Sequence, residues 1–507
     1  MSTAADMLLP AVLLVPLLGA LLVWLLPRGA ADTHAGLARS VTIGLLLVTA
    51  VLAVALWFAV PEGLAQVDFP WIDEFGSRLR LAVNGVSLPM VLLTALLMPL
   101  AVIAMDHTSV SHRAASYYAL VLLLTAGILG IFLAADLLLF YLCWELMLVP
   151  LYFLIGVWGS ARGPAAGTTF FIYTMLGSLL MLVAVVTVAG AAGGTTYEAL
   201  RVMAASRPMP VTTQLWCFGA FATAFLVKSA LVPFHTWLPD AQGEGPPLAA
   251  VALGIKVGTY GLIAIAYPLF PAAGMHPTVR LVLASLGVVA VLYGSITALA
   301  QPDFRRVMSY ASVAHLGFVV LGVSAFTPGS LQGALVVMVN AGITTGGMFI
   351  LLGMLRERLA DDRFAALGGL AKQAPAFGAL AVLFALANAG LPGTNGFVGE
   401  FLVLLHSFPR FPVLVLLATA GVILAAAYLL WAVQRTFFGP PAEGAPSLRD
   451  LSLREAGVMA CFVVAIVGLG LAPAPLLDRM ESSLASLVTT VTESAALLPT
   501  AAAAVAP

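Results

Sequence analysis

The stretch Lys228-Ser229-Ala230-Leu231-Val232-Pro233-Phe234-His235-Thr236-Trp237-Leu238-Pro239-Asp240 closes one of many long apolar runs in this 507-residue chain. Proline removes a helical hydrogen bond and breaks the run. Unwound backbone at membrane depth is tolerated only inside protein or beside a water-filled cavity. A second stretch, Gly390-Leu391-Pro392-Gly393-Thr394-Asn395-Gly396, interrupts the run 374–405 just before Glu400. Two such breaks predict an all-α integral membrane protein with interrupted helices around a buried polar interior.

The composition agrees. Hydrophobic residues make up 62% of the chain and charged residues 9%, whereas a soluble domain carries roughly a quarter charged residues. Lipid is therefore the natural solvent. A bilayer crossing takes about 20 apolar residues, and reading on that scale gives fourteen spans. They fall near 8–26, 40–60, 84–105, 115–132, 136–156, 168–190, 213–232, 247–267, 279–299, 306–324, 331–355, 374–405, 414–437 and 455–472. The breaks lie in spans seven and twelve. Breaks five spans apart predict two five-helix repeats, spans 4–8 and 9–13. Five is odd, so the second copy must be inverted in the membrane, a transporter pattern. The implied units are residues 1–114 (three helices), 115–267, 279–437 and 438–507 (a last helix and tail). Segments 61–83, 191–212, 356–373 and 438–454 are expected to hold turns or short surface helices, and Pro499 to Pro507 a frayed tail.

Leu8 to Leu26 has no Lys or Arg before it, and Arg28 follows. That order is opposite to a secretory signal and predicts a first membrane helix with its N-terminus outside. With fourteen spans, 13 Lys/Arg fall in cytoplasmic segments and 7 in outer ones. The positive-inside rule then places both termini on the outer (periplasmic) side of the inner membrane.

The other two cations, Lys228 and Lys256, lie inside spans seven and eight, in a chain with only three lysines. Two acids share their position, Glu145 in span five and Glu400 in span twelve. A charge at a helix centre costs about 2.5–3.5 kcal/mol on the insertion scale, so such groups face a bundle interior or water. One reading is structural ion pairs that pin helices together. Another is a proton path, because desolvation and a nearby carboxylate push a lysine in opposite directions and a moving partner can load or unload it. His315, midway along span ten, can relay protons near neutrality, or be a satisfied buried histidine. His235 follows the Pro233 break. His34, His107, His112, His276 and His406 fall at span ends.

Net charge is −1, which gives no reason to expect nucleic acid as partner. Cys143, Cys217 and Cys461 are far apart and suit small buried hydrophobes rather than a disulfide or metal set. No histidine pair has metal spacing. No site for NADH, flavin, an iron–sulfur cluster or quinone is visible, so no cofactor is expected in this chain.

Trp144-Glu145-Leu146-Met147-Leu148-Val149-Pro150 and His235-Thr236-Trp237-Leu238-Pro239-Asp240 resemble the antiporter-like subunits of proton-pumping NADH:quinone oxidoreductase (respiratory complex I) and the related Mrp antiporter subunits. The similarity covers nearly the whole chain. A glutamate in the broken twelfth helix, at Glu400, resembles the subunit M branch; the L and N branches usually have lysine there. The long lateral helix of the L branch is not expected, since the chain stops soon after Asp478.

The resemblance implies an integral part of an NADH:quinone oxidoreductase, with L- and N-type and small membrane subunits as partners. Its proton row would be Glu145–Lys228, then Lys256 as relay, His315 as link and Glu400 as terminal site. Asp136, Asp240 and Glu244 would either tune access to the path or, as the favoured reading, be solvated or capping residues. Gln242, Ala264 and Ala341 stand where relatives often have histidine, arginine and histidine, which puts side branches of the path in doubt. The alternative is a subunit of an Mrp-type Na⁺/H⁺ antiporter, a membrane hydrogenase or a CO₂-uptake complex.

Overall fold

The computed structural model describes residues 3–26, 35–60, 65–105, 110, 112–359, 362–440 and 448–497; Arg28, His34, His107 and the Pro499–Pro507 tail lie outside them. Helices α1 (Thr3–Trp24) and α2 (Ala35–Ala59) lead into strands β1 (Ala65–Ile72) and β2 (Ser77–Val83). Then come α3 (Leu88–Ala104), α4 (Ala114–Leu133), α5 (Leu137–Trp158), α6 (Gly163–Ala192), α7 (Tyr197–Ser206), α8 (Val211–Lys228) and α9 (Trp237–Glu244). The eighth expected span is α10 (Pro247–Gly254), α11 (Val257–Gly261), a π-helical turn Leu262–Ala266 and α12 (Tyr267–Leu269), with α13 (Pro271–Gly274) after it. Helices α14 (Pro277–Leu299), α15 (Phe304–Ala325) and α16 (Pro328–Asn340) follow, then a π-helical turn Ala341–Thr345 and α17 (Gly346–Arg356). The last are α18 (Pro375–Asn388), α19 (Asn395–Ser407), α20 (Pro412–Val433), α21 (Leu453–Leu471) and α22 (Ala474–Ala496).

Eleven of the described segments are long and apolar enough to cross a membrane. Reaching the expected fourteen requires the shorter α3, the broken pair α8/α9 and the broken pair α18/α19. The chain is a multi-span helical membrane protein.

The two breaks have the same local chemistry. At the end of α8, Ser229 N donates to Phe225 O, Ala230 N to Val227 O and Leu231 N to Leu226 O. At the end of α18, Ala389 N donates to Ala385 O, Gly390 N to Ala387 O and Leu391 N to Leu386 O. Both are Schellman caps, and both turn through the left-handed region, at Ala230 (φ 55°) and Gly390 (φ 74°). Lys228 and Asn388 therefore hold matching positions, each the last residue of its half-helix. A further interruption, not expected from the sequence, falls at Lys256 itself, which sits between α10 and α11 with φ −87° and ψ 62°.

Two segments correct the sequence reading. Residues 65–83 form an antiparallel hairpin, with Ala65 opposite Val83, rather than turns or surface helices. Its Val67–Phe69 and Leu79–Leu81 residues alternate in the period-2 pattern of a strand, which a search for long apolar runs passes over. Beyond Asp478 the chain continues as α22, whose Leu476, Met480, Leu484 and Val491 form one buried stripe at helical spacing. Arg479 on α22 donates to the carbonyls of Trp57 and Val60 at 2.7 Å, and Gln332 donates to Leu477 O at 2.9 Å. Of the cysteines, Cys143 and Cys217 are buried but Cys461 is exposed.

Asp136 is a buried cap, as one of its sequence readings had it. Its Oδ1 accepts from Ser77 Oγ (3.1 Å), Leu138 N (2.9 Å) and Leu139 N (3.1 Å), and its Oδ2 from Thr195 Oγ1 (2.6 Å) and Arg78 N (3.2 Å). One carboxylate thus joins β2, the start of α5 and the α6–α7 loop. Asp136 bridges Thr196 and Asp303 bridges Arg363, each pair 60 residues apart. Replacing Asp136 with alanine should destabilise the protein by about 3 kcal/mol, because several buried donors lose their acceptor. A clear fall in melting temperature and in recovered folded protein is expected; unchanged melting would contradict this account of the cap.

Candidate functional site

The expected site residues fall in two groups with Lys256 between them, and all are buried except Glu145, which is half-buried. Glu145 lies on α5, and Lys228 ends α8. The Lys228 ammonium stands 5.3 Å from the centre of the Trp144 ring and 5.5 Å from that of Phe170. Aromatic faces attract a cation most where water is excluded. Lys228 Nζ and Glu145 Oε1 are buried without hydrogen-bond partners, although the two groups lie within electrostatic reach of each other. They are close enough to feel each other but are not bonded.

Lys256 is buried at the helix interruption and within electrostatic reach of His315. His315 and Glu400 form the second group. His315 Nε2 is 3.1 Å from Asn388 O. A carbonyl oxygen only accepts, so Nε2 carries the ring proton and Nδ1 is left to accept. The same Nε2 is 3.8 Å from Glu400 Oε1. That is too long for a hydrogen bond but short enough for one water or a small side-chain movement to close. The Glu400 carboxylate lies against the Gly390 turn, where an added Cβ would sit 2.9 Å from Oε2. Asn388 is held in turn: Thr345 Oγ1 donates to its Oδ1 at 2.8 Å, and its Nδ2 donates to Phe384 O at 2.8 Å.

Sequence reasoning missed the asparagines. Asn340, Asn388 and Asn395 are all buried around the second break; amides flanking the Gly390-Leu391-Pro392-Gly393 turn would have pointed to Asn388 and Asn395, while Asn340 arrives there from α16. It also placed Glu244 among solvated or capping residues. The side chain is 10% exposed, and it accepts from Ser160 Oγ, Arg162 Nη2 and, at 3.0 Å, Arg306 Nη2. Arg306 also reaches Asp240 at 3.3 Å and Asp303 at 3.7 Å. This clasp ties α9 to the α5–α6 loop and to the start of α15. His235 has no partner on either ring nitrogen and faces the Tyr293 ring at 4.9 Å. Of the span-end histidines, His276 caps α14 through Thr278 N at 3.3 Å, and His112 stacks on Trp158. Among the described residues no cluster of three metal-ligating side chains occurs. Gln242 is buried with Oε1 unpartnered. Ala264 lies in the π-helical turn of the eighth span, and Ala341 opens that of the eleventh.

Together these features define a multi-span helical membrane protein with interrupted spans and ionisable groups in its interior. The profile of the family described as "NADH:quinone oxidoreductase/Mrp antiporter, TM" matches residues 134–425, and the chain belongs to that family. It is 36% identical over 504 residues to NADH-quinone oxidoreductase subunit M of Pseudomonas aeruginosa, covering 94% of this chain and 97% of that one. It is 34% identical over 424 residues to F(420)H(2) dehydrogenase subunit M of Methanosarcina mazei, covering 82% and 86%. A chain of respiratory complex I from Thermus thermophilus superposes with a TM-score of 0.87 at 30% identity, covering 96% of this chain and 99% of that one.

Burial raises the Glu244 carboxyl, but the bonds from Ser160 and Arg306 and the charges of Arg162 and Arg306 outweigh it, leaving it below the ordinary glutamate value. The clasp therefore contributes its stability above the unfolded glutamate range and loses it as pH falls through the lower folded value. Glu244→Gln should melt at lower temperature than the parent at pH 7, and the two should converge as the solution is acidified below the glutamate range. A constant difference across that range would contradict this assignment.

Proposed function

We propose that this chain is the M-type proton-translocating membrane subunit of an NADH:quinone oxidoreductase. In this reading protons move along Glu145, Lys228, Lys256, His315 and Glu400, driven by quinone reduction elsewhere in the complex. The observation that carries it is the state of the row. Lys228 is buried with its ammonium unpartnered, and the half-buried Glu145 lies within electrostatic reach of it with no bond between the two, so a small displacement changes their mutual stabilisation without breaking a bond between them. Moving the Glu145 carboxylate away lowers the proton affinity of Lys228; moving it back restores it.

At the other end, a proton arriving on Nδ1 of His315 allows the Nε2 proton to pass to the Glu400 carboxylate. The ring stays neutral overall, and Glu400 becomes the neutral acid. The imidazole then resets by reorienting. The helix break supports this step, because the Asn388 carbonyl fixes which nitrogen holds the proton.

The division into a three-helix start, five-helix units 115–267 and 279–437 and a last part from 438 is part of the same proposal. The paired Schellman caps and the matched Asp136–Thr196 and Asp303–Arg363 bridges support it. So is the placing of both termini on the periplasmic side, which the lysine and arginine bias supports. L- and N-type and small membrane subunits would be the neighbours. The likeness to an F(420)H(2) dehydrogenase subunit means that this reading concerns the membrane arm rather than the electron donor.

Lys228→Ala or Glu145→Ala, in the assembled complex in proteoliposomes, should sharply lower protons moved per electron. An unimpaired ratio in both variants would overturn the mechanism. Na⁺-dependent pH changes that vanish when Glu145 is replaced would favour the antiporter alternative.

A further inference from the structure

Beside the His315 link lies a second polar feature that the row does not use. Asn340 ends α16 and Asn395 opens α19; both are buried, at 4% and 1% exposure. Asn340 Nδ2 donates to Asn395 O. Asn340 Oδ1 and both Oδ1 and Nδ2 of Asn395 have no partner. Buried amide groups are normally satisfied, and where protein atoms do not do it, ordered water does.

The pair lies beside the Glu400 end of the proposed path. On one side, Gly396, next to Asn395, packs against Ala387 O and lies 3.6 Å from Gly390 Cα as measured from an added Cβ. That is the turn against which Glu400 rests. On the other side, Asn340 immediately precedes the π-helical turn Ala341–Thr345, a form of helix that recurs at functional sites. Within the turn Thr344 Oγ1 donates to Asn340 O at 2.7 Å and Thr345 Oγ1 to Asn388 Oδ1 at 2.8 Å. Gly346, which follows it, faces Val251 of α10 at 3.8 Å from an added Cβ, and α10 ends two residues before Lys256.

We propose that Asn340 and Asn395 hold internal water that carries protons to Glu400 alongside the His315 link. The proposal rests on the proton-row reading of this chain. Two free acceptors and one free donor suit a water molecule, which both donates and accepts. A cation would meet the same two oxygens, but also the Asn395 amide hydrogens, which repel it. An amide does not titrate near neutral pH, so both asparagines are positioning residues: they hold the water, and the proton moves through it.

The test uses the assembled complex in proteoliposomes. A double Asn340→Leu, Asn395→Leu variant keeps side-chain volume and removes every polar atom of the site. The rate of proton translocation at matched electron flow should fall by about tenfold, the effect of one lost buried hydrogen-bonded position. The double serine variant, which retains hydroxyl partners for water, should stay near the parent rate. Parent-like pumping by the leucine variant overturns the proposal, as does an equal loss in the serine variant, which would mark the pair as structural.

Glu400→Gln is measured beside them. If it too pumps normally, the row reading fails. If it loses pumping while the leucine variant does not, only the asparagine site fails. Should the leucine variant not assemble, a high-resolution density map of the unmodified complex decides. Water within hydrogen-bond distance of Asn340 Oδ1 and Asn395 supports the proposal. An empty site, or an ion whose occupancy follows the Na⁺ concentration, overturns it.

Discussion

A helix that ends inside a membrane must hand its last carbonyls to a partner other than bulk water, and that constraint organises this protein. The end of α8 gives Val227 O to the Trp237 indole, whose Nε1 donates at 2.9 Å. The end of α18 gives Asn388 O to His315 Nε2. In both places the residue that satisfies the backbone stands beside an ionisable group. Trp237 holds the turn after Lys228 closed, and His315 reaches toward Glu400. Unwound backbone brings polarity to membrane depth, and the ionisable side chains sit where that polarity is available.

The charges of the chain sort by whether they are bonded. Arg358 and Glu455 meet at 2.7 Å, Arg306 and Glu244 at 3.0 Å, and Asp136 takes five hydrogen bonds. These groups join elements, and their geometry leaves them little freedom. Lys228 is as deeply placed but has no such bond, the half-buried Glu145 is not bonded to it, and His315 and Glu400 stop at 3.8 Å. A fold that needed the row only for adhesion would close those gaps, because an unpaired buried charge is costly and a paired one is less so. Groups held near each other without bonding can change protonation state with small movements.

Most of the fold was legible because the solvent leaves a strong mark on sequence. Long apolar runs, Pro233 and the Gly390–Gly396 turn were enough to read a multi-span helical membrane protein and two of its breaks. Charges in hydrocarbon were equally visible, which is why Glu145, Lys228, Lys256 and Glu400 could be read directly. The hairpin at 65–83 and the amphipathic α22 were missed because their signals are alternation and a stripe, not an apolar run. The interruption at Lys256 carries no proline within the turn, so nothing local announced it. Asn340, Asn388 and Asn395 were passed over because an amide has no formal charge, and their partners come from distant segments. Glu244 looked like a loop acid until Arg306, which lies 62 residues away, was brought beside it by the packing of α9 against α15.

The central claim is that the buried row, rather than the chain as a scaffold, carries protons. The most direct measurement is the proton-to-electron ratio of a reconstituted complex in which Lys228, Lys256 and Glu400 are neutralised together. The account predicts that electron transfer persists while fewer protons are moved per electron. An unchanged ratio, with normal turnover in the fully assembled complex, would contradict it and leave this chain a structural member of the membrane arm.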